Sequence, residues 1–189
     1  DWANPDNWSK EAGLGLPPGN LRANNADHTA IFPDDANITG TTNVSTNAAV
    51  TLNRIEFNNP THSFVVSGAG SVTLSEDSTG ASPTVVVEGH HEFQADVILQ
   101  NNTQLDVAFA GSLAFNNRLD VGANTLTKIG AGTLAINNVL NASGGEISCT
   151  TGTCNGSGTV VGNLNNSSGT VAPGNSPGIL TIDGNYTQG

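Results

Sequence analysis

The 189-residue chain sets 5 Lys and Arg against 16 Asp and Glu, a net charge of −11, with charged residues at only 11%. The five cations (Lys10, Arg22, Arg54, Arg118 and Lys128) stand singly, which excludes the clustered phosphate contacts of a nucleic-acid binder and docking on an anionic membrane. No run approaches roughly 18 consecutive apolar residues, so no transmembrane segment is expected, and the length is enough to bury a sizeable core.

Residues 1–27 read as an irregular N-terminal segment. Pro5, Pro17 and Pro18 break it, and Trp2 and Trp8 are the only tryptophans of the chain. Two readings stay open: a cap whose indoles cover the end of a core, or an arm that packs on a neighbouring molecule. No basic-then-apolar leader precedes it, and a start at Asp1 is what a mature product stripped of its signal peptide would show.

Strands are predicted from there to residue 189. Thr29–Phe32 is short, and Ala49–Phe57 alternates with a shift of phase that suggests a bend or bulge within one run. Ser63–Ser67, Ser71–Leu74, Thr84–Glu88, Ala95–Leu99 and Leu105–Phe109 follow, separated by Asn-Asn, Gly-Ala or Ser-Gly turns. Later strands are read at Thr159–Val161, Thr170–Ala172 and Ile179–Ile182. No 11-residue window carries a helical period.

An internal repeat organises these runs. Ala131–Asn138 (AGTLAINN) restates Ala110–Asn117 (AGSLAFNN) 21 residues earlier, and Ala69–Leu74 (AGSVTL) lies 41 residues before Ala110. In each copy apolar residues alternate with small or polar ones, the mark of a strand with one buried face. A strand, a glycine corner and a period of about 20 residues describe one coil of a parallel β-helix, which must stack on its neighbours to bury its apolar row. The expected fold is therefore all-β: a right-handed parallel β-helix or β-solenoid over residues 28–189, with about six to eight coils. Asn residues at the corners are expected to bond from coil to coil.

Few residues suggest chemistry. Cys149 and Cys154, with Gly152 between them, have the spacing of a small disulfide loop that would pin a local excursion, and a disulfide favours an oxidising compartment. Glu88, His90 and Glu92 would share one face of a strand and could surround a metal, but they match no zinc motif and are read as a solvated polar corner. Asp96, Asp106 and Asp120 each sit between apolar residues and should point outward. Carboxylates on adjacent coils could hydrolyse glycosides or bind calcium, yet no cation stands near them in sequence to steady developing negative charge. GxSxG, Walker A and RTX calcium motifs are absent, so no enzyme activity, catalytic residue or cofactor is expected. Asn-x-Ser/Thr triplets make Asn37, Asn43, Asn101, Asn141 and Asn185 candidate glycan acceptors.

Leu126–Asn137 (LTKIGAGTLAIN) resembles the autotransporter-associated β-strand repeat, through Leu126, Lys128, Gly130, Gly132, Thr133, Leu134 and Ile136. GTVAPGNSPGILTIDGNYTQ, near the C-terminal end, is similar to a segment of the same large bacterial surface proteins. The resemblance implies export to the bacterial cell surface and a part in adhesion, biofilm or cell–cell contact, with a departure in the lack of a barrel-forming translocator. The leading expectation is a secreted structural subunit that assembles head to tail with itself into an extracellular fibre or matrix. Trp2, Trp8, Ile179, Ile182 and Tyr186 are the candidate assembly contacts. The alternatives are an adhesive or stalk passenger region that touches glycans or other surface components, and a glycan-active β-helix enzyme.

Overall fold

The computed structural model describes Trp2, Asn4, residues 25–174 and residues 178–189. A 3-10 turn, Asn25–Asp27, leads into the first strand and is the one helical element among the described residues.

Among the described residues twenty strands wind into a parallel β-solenoid of three stacked sheets, the first and third joined into one by the long strands β15 and β17. The first coil holds β1 (Thr29–Phe32), β2 (Thr42–Ser45) and β3 (Val50–Leu52); the second holds β4 (Arg54–Asn58), β5 (Phe64–Ser67) and β6 (Ser71–Leu74). The third follows with β7 (Thr84–Glu88), β8 (His90–Phe93) and β9 (Asp96–Leu99). The fourth has β10 (Thr103–Val107), β11 (Ser112–Phe115) and β12 (Leu119–Asp120). In the fifth, β13 (Thr125–Ile129) and β14 (Thr133–Ile136) lead into β15 (Val139–Cys149), whose second half opens the sixth coil. β16 (Thr153–Gly156) and β17 (Thr159–Asn166) continue, and β17 likewise turns a corner into the seventh coil. β18 (Thr170–Pro173), β19 (Thr181–Asp183) and β20 (Tyr186–Gln188) complete the described chain.

Every pairing between coils is parallel. The first sheet stacks β1, β4, β7, β10, β13, the second half of β15, the second half of β17, and β20. The second runs from β2 through β5, β8, β11, β14 and β16 to β18, and the third from β3 through β6, β9 and β12 to β15, β17 and β19. Partners lie about 22 residues apart, slightly longer than the expected period: Leu113 meets Leu134 and Val97 meets Leu119. Early coils are longer, since Arg54 meets Thr84 across a loop.

Alternation explains the core. In the first sheet one inward row reads Ala30, Ile55, Val85 and Leu105, then Lys128, Cys149 and Asn166. The corresponding row of the second sheet is His91, Leu113, Leu134, Cys154 and Val171. All but Val171 of these side chains are buried, and Val171 packs against the same core. At about 1.5–3 kcal/mol per fully buried aliphatic or aromatic side chain, the stacked rows supply the driving force that no single coil has alone.

Two sequence expectations change here. The phase shift within Ala49–Phe57 is a corner: β3 ends at Leu52 in the third sheet, Asn53 makes the bend, and the chain restarts as β4 in the first. Asn53 Nδ2 holds that corner by donating to Ser75 O at 3.1 Å and Ala81 O at 2.8 Å. Leu105–Phe109 does not run its full length either, because a turn closed by Gly111 N–H to Ala108 O follows β10, and Phe109 at its tip is 86% exposed.

Candidate functional site

A shallow groove of about 310 Å³ lies on the second sheet, lined by Thr41, Ser63, Val65, His90, His91, Glu92, Ser112 and Ala114. Gly89, at φ +86°, makes the corner between β7 and β8; a Cβ there would lie 2.2 Å from Asn59 O, so only glycine lets the coils close. The corner separates Glu88 from His90 and Glu92, so the three do not form one strand face. Among the described residues no group of three His, Cys, Asp or Glu is placed to hold a metal.

His90 lies outside, with its Nδ1 2.8 Å from Ser112 Oγ of the next coil. Glu92 accepts from Gln94 Nε2 at 2.8 Å and from Asn116 Nδ2 at 2.5 Å, and Asn137 Nδ2 donates to Asn116 Oδ1 at 2.8 Å. This is a coil-to-coil amide ladder of the kind expected at the corners.

His91 turns inward and is 3% exposed. Its Nδ1 accepts the Phe64 N–H at 3.0 Å, and its Nε2 donates to Glu88 O at 2.6 Å. Those partners fix a neutral ring with the proton on Nε2. Burial pulls its pKa below the usual imidazole value, against the raising effect of the Glu88 and Asn59 carbonyls, and the charge of His90 lowers it further.

The outward aspartates do not converge. Asp106 is aligned with Val86 and Ile129, and Asp120 with Ile98 and Asn141. The expectation that no cation stands near them fails, since Arg118 Nη2 pairs with Asp120 Oδ2 at 2.6 Å and Asp106 acts on Lys128 through its charge. Arg118 immediately precedes β12, two residues before Asp120, so their side chains leave by the same side.

Cys149 and Cys154 are bridged, with Cα atoms 6.5 Å apart. The bridge closes a local corner, and does so from inside the core. Both residues are fully buried, and the bond crosses the corner from β15 to β16 inside the core, because each cysteine occupies an inward position of its strand. Beside it Lys128, also fully buried, donates from Nζ to Ile129 O at 3.0 Å, Gly130 O at 2.6 Å and Thr151 O at 3.1 Å. Desolvation lowers its pKa to about 8, opposed by the charge of Asp106.

At the first coil the Trp2 N–H donates to Ser45 O at 2.6 Å, and its indole, 1% exposed, packs edge-on against Phe32 at 5.8 Å. Trp8 lies outside the described residues. At the last coil Ile179 is 75% and Tyr186 46% exposed, whereas Ile182 packs half-buried against the core.

Of the candidate glycan acceptors, Asn37, Asn43 and Asn185 are exposed, and Asn101 and Asn141 are half-buried. Three make coil-to-coil bonds: Asn101 Oδ1 accepts the Glu76 N–H at 3.0 Å, Asn141 Nδ2 donates to Asp120 Oδ1 at 3.0 Å, and Asn185 Nδ2 donates to Asn163 Oδ1 at 3.1 Å.

The burial of His91 and of Lys128 does not stand out in the sequence; its one signal is a polar residue at a position where the repeat demands an apolar one. No protein-family model, curated protein or solved structure matches this chain.

Proposed function

We propose that the chain is a structural rod of an extracellular or bacterial cell-surface assembly, extended end to end by further copies of itself. The observation that carries this reading is the continuity of the three sheets, whose rows of core side chains and amide ladders join each coil to the next along one axis. Such a lattice resists bending and pulling along its length, and strand edges are templates for adding more of the same structure. The disulfide and the acidic, amide-rich surface suit a secreted protein, and the resemblance of Leu126–Asn137 to autotransporter-associated repeats points the same way. In the polymer, Ile179 and Tyr186 would be covered by the first coil of the next copy, a head-to-tail contact that propagates unless a rotation closes it.

A second reading, a stalk or adhesive passenger within a longer surface protein, is favoured by the seating of Trp2 on its own first coil. An indole already buried in its own chain is not free to anchor a neighbour.

Electron microscopy beside sedimentation of the purified chain separates the two. The fibre reading expects filaments with an axial repeat of about 35 Å, seven coils at the interstrand spacing of about 4.8 Å, and their loss in Ile179→Asp. Monomers at all concentrations would sink it in favour of the stalk.

A further inference from the structure

We propose that His91 is an acid-sensitive latch that fastens the first two coils of the rod to the third. The ring ends one branch of an axial column of aromatic side chains, whose other branch runs from Phe57 to Phe93 and Phe115. Trp2 packs on Phe32, Phe32 stacks on Phe57 with centroids 4.7 Å apart, and Phe57 stacks on His91, also at 4.7 Å. Phe64, from the second coil, lies 5.8 Å away on another side. His91 therefore stands where the first coils meet the rest of the rod.

In the second sheet its nitrogens replace backbone pairing at this junction, where β4 with β7 and β6 with β9 pair along their lengths. The ladder between β5 and β8 begins at Val65 with Glu92, which leaves the Phe64 N–H one residue outside it. The Nδ1 lone pair satisfies that donor, while the Nε2 proton satisfies Glu88 O at the end of β7. One neutral ring thus ties the second coil to the third and closes the corner made by Gly89.

Protonation removes the lone pair. Two donors, the new Nδ1–H and the Phe64 N–H, would then face one another in a buried site, and a charge would enter an aromatic core. Stacking of the cation on Phe57 returns about 0.5–2 kcal/mol and the Glu88 and Asn59 carbonyls favour it further, but burial of the charge outweighs them.

The surrounding charges do not neutralise the cation. Glu92 leaves by the outer face and is held by Gln94 and Asn116, and Glu88 is exposed. On β4, Arg54 and Glu56 pair with each other at 2.5 Å. His90 bonds Ser112, and His62, in the loop before β5, bonds Thr61 through Nδ1. The strands β1, β5 and β11 carry no titratable side chain. Because the folded ring is a weaker base than the free one, the unfolded segment binds more protons as pH falls below about 6.5, and the sign is loss of stability in acid.

The test is residue-resolved amide exchange on the full chain at about pH 7.5 and about pH 5, corrected for intrinsic rates, with the imidazole nitrogen shifts of His91 read in parallel. Opening of residues 29–74 should rise about tenfold per pH unit below about 6.5 until the folded ring protonates, while residues 103–166 hold steady. His91→Gln, which keeps an acceptor for the Phe64 N–H but cannot titrate, should abolish the acid response, and His90→Gln should leave it intact. If His91→Gln does not fold, the nitrogen shifts and the wild-type exchange profile decide. An acid response that persists in His91→Gln, spreads evenly along the rod or is absent from the wild type would overturn the latch. So would a His91 already protonated on both nitrogens at neutral pH.

Discussion

Replacing Lys128 by Met would test how a buried cation is tolerated in a core of stacked aliphatic rows. The ammonium has three N–H groups and meets three carbonyls, those of Ile129, Gly130 and Thr151, at 2.6–3.1 Å. Methionine keeps the length and apolar stem but leaves all three carbonyls without that donor. Each unsatisfied buried group costs about 1–3 kcal/mol, and water can reach the exposed Thr151 side of the corner, so about 3–5 kcal/mol in all is expected. At about 2–4 °C per kcal/mol for a chain of this size, the midpoint should fall by about 6–20 °C. A second arm uses pH. The folded Lys128 titrates near 8, below its ordinary value of 10.5, so between those values the unfolded chain binds more protons and stability rises with pH. The gain is about 3 kcal/mol at most across the window, and Lys128→Met should lack it. Thermal and urea unfolding followed by circular dichroism at about pH 7 and about pH 10 measures both. A loss under about 1 kcal/mol in Lys128→Met, together with an unchanged pH slope, would refute the clamp.

Two further outcomes follow from the corners. Closing the short loop between Cys149 and Cys154 is worth about 2 kcal/mol in chain entropy, so Cys149→Ser/Cys154→Ser should lose at least that much, while the native wild type shows no thiol to a thiol reagent and is reduced only as its last coils open. Two reactive thiols in non-reduced protein would contradict the buried bridge. Gly156→Ala should cost about 3 kcal/mol or more, because φ is +139° and the new Cβ would lie 1.9 Å from Ile136 O, whereas Gly80→Ala, at φ +81° with open space around it, should cost about 1 kcal/mol. Similar losses at the two sites, measured by urea unfolding, would mean that the coils do not meet as closely as this.

The sequence by itself determined the solenoid. Each coil must repeat the same short-range pattern of alternating apolar residues and a glycine corner, so AGSLAFNN and AGTLAINN announce both the strand and its stacking partner 21 residues on. The amide ladder from Asn116 to Asn137 was legible for the same reason, since equal spacing puts like residues above one another. Period alone does not say where a coil turns. Val50, Leu52, Ile55 and Phe57 read as one bulged strand, and only the pairing of β3 with β6 and of β4 with β7 shows two sheets meeting at Asn53. Nor does it say which polar residues face inward. Lys128, His91 and the two cysteines hold positions in apolar rows, and a one-residue choice of face, invisible in composition, decides whether a side chain meets water or the core. Tertiary structure made that choice by bringing the Thr151 carbonyl of the next coil beside those of Ile129 and Gly130 around the Lys128 ammonium, and the Phe64 N–H and Glu88 carbonyl to the two nitrogens of the His91 ring. Burial of a polar group is stable only where such partners converge, and convergence is a property of the stacked coils rather than of any one of them.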